Sequence, residues 1–95
     1  MIIAEFAIFP TSEGVSVSKY VKKAIEEIKK LGISHETGGM STVMEAETLE
    51  EIFEAVKRAY NAIVDMGAKR IHIDLRIDHR LDKEATIESK KRAVQ

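Results

Sequence analysis

The chain has no cysteine and only one proline in 95 residues. Without thiols there can be no disulfide framework and no thiolate nucleophile, and the composition fits a reducing cytoplasm. Charge of one sign is also missing: fifteen Lys and Arg stand against sixteen Asp and Glu, a net charge of −1. Binding to nucleic acid or to an anionic membrane surface calls for a basic surface, so neither partner is expected. No apolar run approaches the roughly 18 residues that a membrane-spanning helix requires. Met1–Phe6 has no basic start and carries Glu5, so it does not read as a secretion signal.

What is present suffices for one small domain. A hydrophobic content of 44% can fill a core, although chains this short are often helped by association. Residues 1–79 read as the domain proper, and residues 80–95 as a helix or tail belonging to it.

The stretch Lys69–Asp78 is the most informative. Ile71, Ile73, Leu75 and Ile77 alternate with Arg70, His72, Asp74, Arg76 and Asp78. Period-2 alternation is the signature of a strand with one buried face. Its other face carries five ionisable groups, which must be solvated or paired. Ile2–Phe9 is a second strand, apolar on both faces and stopped by Pro10, as befits a central position. Val17, Val21, Ala24, Ile25, Ile28 and Leu31 recur at steps of three and four, predicting a helix capped by Ser16 or Ser18 and ended by Gly32. Ile33–Thr37 and Met40–Glu47 read as short strands joined through Gly38-Gly39. Thr48 and Glu51 form a capping-box pattern ahead of a second amphipathic helix, closed by Gly67.

The order β-α-β-β-α-β predicts an α+β, ferredoxin-like sandwich with one antiparallel sheet and both helices on one face. Two helices leave the second sheet face solvated or buried by another subunit. The two-sided apolarity of the first strand favours burial, so a sheet-packed homodimer is expected, extended to a tetramer through the tail.

The chemistry-bearing residues are few. His72, Asp74 and Arg76 alternate in sign and can pair along the strand, as a salt-bridge ladder or as an Asp-oriented imidazole. No Ser or Cys nucleophile accompanies them in a motif. His35, His72, Asp74, Asp78 and His79 lack any metal-ligand spacing, so no metal is expected. Pro10–Ser16 leads into a helix N-terminus, which favours anions, but one glycine and no early lysine make it a poor phosphate loop. Thr37-Gly38-Gly39-Met40-Ser41-Thr42 is the better candidate for recognising a small molecule: three hydroxyls, an adaptable Met40, and glycines that permit close approach. Glu45 lies on the strand face opposite Thr42.

Together, Ile8-Phe9-Pro10, Gly14-x-Ser16-x-Ser18-x-Tyr20-Val21, Thr37–Thr42 with Glu45, and Arg70 with Ile73-Asp74-x-Arg76 resemble the small thiamine-binding protein family related to YkoF. The resemblance spans roughly residues 2–78. It implies a ferredoxin-like fold, homotetramers of sheet-packed dimers, no catalysis and no cofactor, and binding of thiamine or its hydroxymethylpyrimidine moiety. Gly39 and Ser41 stand where the family's usual hairpin pattern has proline and glycine. The ligand-binding residues expected on this basis are Phe9, Ser16, Thr37, Met40, Ser41, Thr42 and Glu45. The alternative is a regulatory or structural assembly protein whose charged sheet face serves subunit association only.

Overall fold

The computed structural model describes all of residues 1–95. Its elements are β1 (Ile2–Pro10), α1 (Ser18–Leu31), β2 (Ser34–Thr37), β3 (Thr42–Ala46), α2 (Leu49–Asp65), β4 (Ile71–Asp78) and α3 (Ile87–Ala93). The four strands form one antiparallel sheet in the order β2-β3-β1-β4. This is the ferredoxin-like arrangement, with α1 and α2 packed together on one face.

The apolar positions of β1 explain why it lies centrally. Ala4, Phe6 and Ile8 point toward the helices and join Ala24, Ile28, Met44, Ile52, Ala59 and Ile63 in one buried cluster. Burying these side chains is the main favourable term in folding, each large one contributing about 1.5–3 kcal/mol. On β4, Leu75 lies opposite Phe6 and Ile73 opposite Ile8, so the strand's apolar set faces the core, as its alternation requires.

The helix ends differ in detail from the sequence expectation. Val17 occupies the N-cap of α1 and makes no side-chain cap, so neither Ser16 nor Ser18 caps it. Gly32 ends α1 in the left-handed conformation at φ 72°. Thr48 caps α2 through the Glu51 amide, but the Glu51 carboxylate accepts from Glu47 N–H and not from Thr48. The hairpin strands are shorter than their apolar runs: only positions 34–37 and 42–46 find partners, and residues 38–41 form the turn.

The tail corrects one expectation. The second sheet face does not depend wholly on solvent or another subunit, because α3 lies across one end of it. Thr86 caps α3 in a box with Ser89. Ile87 N–H donates to the Glu45 carboxylate at 2.7 Å, and Glu45 sits opposite Ile3 in the sheet. Ile3, on this face, is 6% exposed, and Ala85 and Ile87 are buried. Lys90 pairs with Asp78 of β4 and Lys91 with Glu36 of β2, so the helix is tied to both edge strands. The Lys90 ammonium holds the Asp78 carboxyl below its ordinary range. A carboxylate at the start of α3 also matches the positive end of the helix dipole.

Glu45→Ala is therefore expected to loosen the tail before the domain. Loss of a hydrogen bond to a charged group costs about 1.5–3 kcal/mol. Amide exchange at Ile87 and proteolysis within 80–95 should both accelerate; unchanged exchange at Ile87 would mean that the carboxylate does not hold the tail.

Candidate functional site

Three segments with different reasons for their shape meet at one cleft. β3 leaves β1 at the pair Phe6–Thr42, whereas β4 follows β1 as far as Pro10. The main chain of Ala7–Phe9 therefore has no strand partner on the β3 side. The turn at 38–41 bends away there, closed by Gly38 N–H donating to the Ser41 carbonyl at 2.9 Å. The third wall is α1, whose apolar stripe runs past the end of the short β2. Val17, Val21 and Ile25 are thus left facing the gap.

The resulting cleft has a volume of about 260 Å³, lined mostly by apolar groups and by no charged side chain. Its polar groups come from the hairpin. Thr42 is 4% exposed, and its hydroxyl lies 3.2 Å from that of Thr37, with which it is paired in the sheet. Met40, at the rim, is 90% exposed.

The two hairpin glycines are required neither by unusual dihedrals nor by a close contact. Neither Gly38 nor Gly39 has a positive φ. A Cβ at Gly39 would meet nothing within 4 Å. That position could therefore accept a larger residue without collision.

The structure gathers Phe9, Thr37, Met40, Ser41 and Thr42 around this cleft. Ser16 lies farther out, on a groove that continues along α1 past Val15, Lys22, Glu26 and Lys29. Glu45 is not brought to it; its carboxylate is engaged with Ile87 on the other face. Phe9 borders the cleft, yet its ring stacks on His72 with centroids 5.1 Å apart. That contact lies on the open sheet face, because Phe9 and His72 are register partners. Val17, Val21 and Ile25 were not singled out as site residues from the sequence, where they read as core. They become cleft walls because β2 spans only Ser34–Thr37 and leaves that part of the α1 stripe uncovered.

The loop that enters α1 is pinned. Ser12 Oγ accepts from the Lys69 and Arg70 amides, and donates to Glu13. Tyr20 O–H donates to Glu13 at 2.9 Å. These hydroxyls, Ser12 first, hold the Glu13 carboxyl below its ordinary value, and the carboxylate in turn raises Tyr20.

On the open face, Ser41 Oγ donates to Glu5 at 3.0 Å. A shallow depression there is lined by Glu5, Ala7, Asp74 and Arg76 and meets the cleft at Met40 and Ser41. His72 Nε2 lies 3.3 Å from Asp74, and both side chains are more than half exposed. An exposed pair outside any enclosed space is the geometry of a surface ladder. His35 Nδ1 meets the Ile33 carbonyl at 2.9 Å. No group of three His, Cys, Asp or Glu residues has the geometry of a metal site, and no helix is long and apolar enough to cross a membrane.

Comparison with known proteins agrees with this architecture. The family model described as thiamine-binding protein matches residues 4–95. A UPF0045 protein of Methanocaldococcus jannaschii is 46% identical over 98% of this chain and 91% of its own length. The crystal structure of a hypothetical protein from that organism superposes with a TM-score of 0.90 at 46% identity, covering 98% of this chain and 94% of that one. A Thermotoga maritima structure, assigned provisionally to thiamine biosynthesis or salvage, superposes with a TM-score of 0.83 at 29% identity over 99% of this chain and 98% of its own. A UPF0045 protein of Bacillus subtilis is 35% identical over 99% of this chain and 94% of its own length.

Proposed function

We propose that this chain, which belongs to the thiamine-binding protein family, holds a small flat heteroaromatic molecule, thiamine or its hydroxymethylpyrimidine part, in the hairpin cleft without transforming it. The observation that carries this reading is the pairing of an apolar, uncharged cleft with an unpaired strand edge at Ala7–Phe9. An aminopyrimidine offers an amine donor and ring-nitrogen acceptors in one plane. Main-chain N–H and C=O groups of the free edge, with the Thr37 and Thr42 hydroxyls, supply the complementary set. Val21 and Ile25 supply apolar surface for the ring faces.

Size bears on which part enters. Ligand pockets usually measure about 300–1,000 Å³, and this one is about 260 Å³. It suits one ring, the rest of a longer ligand running out along α1 past Ser16. The absence of charge in the lining favours the neutral pyrimidine over a cationic thiazolium at the inner end. Lys22 and Lys29 stand only on the outer groove. Association of protomers through the open sheet face, around Glu5, Ala7 and Phe9, belongs to the same reading.

Titration calorimetry with thiamine and with hydroxymethylpyrimidine, on protein of known solution mass, tests it. Saturable micromolar or tighter binding, at one site per protomer or per dimer, is expected. Bound ligand should also raise the melting temperature by mass action. No heat and no thermal shift at millimolar ligand would overturn the reading.

A further inference from the structure

The cleft does not end at the hairpin. Val17, Val21, Ile25, Thr37 and Gly39 line both the cleft and a wider groove that continues it along α1, so the two form one channel. The inner end has no charged side chain, whereas the groove is flanked by Lys22, Glu26 and Lys29 and by the hydroxyl residues Ser16 and Ser18. On the reading that the cleft holds a heteroaromatic ring, we propose that the outer groove is an anion subsite. The ligand is then a phosphate ester, with its ring in the cleft and its phosphate beside Lys22 and Lys29.

Charge is distributed unevenly in a way that favours this. α1 carries five lysines and two glutamates, in a chain whose net charge is −1. α2 has the opposite bias, four acids against Lys57 and Arg58. The helix that walls the channel is therefore the positive one, and a wall of one sign attracts the other. Lys22 and Lys29 are exposed, and neither takes part in an ion pair. Glu26, the one carboxylate of the groove, lies 3.8 Å from Lys23 on the next flank of the helix. The other cationic depression, between α1 and α2, is different: Lys30 meets Glu27 there and Arg58 meets Glu54. Its charges are answered within the chain, and those of Lys22 and Lys29 are not.

A phosphate ester matches this succession of environments. Its neutral ring occupies the end from which charge is excluded, and its anion the end where cations lack a partner. Lys22 and Lys29 are seven residues apart, about 10 Å along the helix axis. Their flexible four-carbon stems let both ammonium groups turn toward one anion. Ser16 and Ser18 add hydroxyl donors, since neither is used to cap α1. The unesterified alcohol leaves both lysines in water and gains nothing from them.

The test is titration calorimetry of the whole chain with hydroxymethylpyrimidine and its monophosphate, and with thiamine and thiamine monophosphate, at low and high salt. At low ionic strength at least one ester is expected to bind about tenfold more tightly than its parent alcohol, a gain that two exposed charge pairs can supply and that added salt should erode. Comparing the two pairs of probes tells which ester the channel suits. In the double variant Lys22→Gln, Lys29→Gln, ester and alcohol should bind alike. The double variant Lys57→Gln, Lys83→Gln changes net charge equally at exposed positions off the channel and should keep the gain. Circular dichroism establishes that each variant is folded; if the first does not fold, Lys22→Gln and Lys29→Gln singly decide. Esters that bind no more tightly than alcohols that do bind would overturn the subsite and leave the reading of the cleft standing. A gain that survives without Lys22 and Lys29, or that is lost equally without Lys57 and Lys83, would also overturn the subsite. Failure of all four probes to bind would overturn both.

Discussion

Phe6→Ala is expected to destabilise the fold by about 3–5 kcal/mol, the usual cost of emptying a buried aromatic site. Phe6 is 2% exposed at the middle of the central strand, with Thr42 on one side and Leu75 on the other. Neighbours on both sides are held by sheet hydrogen bonds, so the surroundings can collapse only partly into the space left. Domains of this kind are stable by about 5–15 kcal/mol in all, so the variant would keep only part of its margin. The measurement is the denaturant midpoint at unchanged slope, taken at one protein concentration because association adds to apparent stability. A loss below about 1 kcal/mol, the range of surface changes, would place Phe6 outside the core. Binding data from this variant would be uninformative, since Phe6 also borders the cleft.

Thr42→Val separates recognition from folding. Valine keeps the branched shape and removes only the hydroxyl. In the free protein the loss leaves Thr37 without its 3.2 Å partner, but Thr37 is exposed and water replaces it. Stability should therefore change by less than about 1 kcal/mol. In the complex, a ligand donor facing the missing hydroxyl would be buried without an acceptor, which costs about 1–3 kcal/mol, or roughly five- to 150-fold in affinity. Calorimetry on wild type and variant checks it. Equal affinities would remove Thr42 from the site, and an unfolded variant would show that the hydroxyl pair is structural.

Period explains most of what could be read in advance. The alternation in Ile71–Asp78 specified a strand and its buried face, and the stripe through Ala24 and Ile28 specified a helix against that face. Gly32 and Thr48 marked two helix ends because their chemistry there is local. Ser16 and Ser18 failed as caps because the entering loop is set by distant groups, with Ser12 bonded to Lys69 and Arg70.

The site was legible only in part, for the same reason. Thr37 through Thr42 could be singled out because hydroxyls and glycines in a hairpin are a local signal. Glu45 has the right chemistry and a nearby position in sequence, yet it is committed to Ile87, 42 residues away. Val21 and Ile25 looked like core, and became cleft walls because β2 is too short to cover them.

The sequence alone determined the order of the four strands and the two main helices, the buried faces of β4, α1 and α2, and the balance of charge, since each depends on spacing within one segment. Tertiary structure decided where β3 parts from β1, which face the tail covers and what lies beside the free edge of Ala7–Phe9. Those depend on where separate segments stop relative to one another, and no local period encodes that distance.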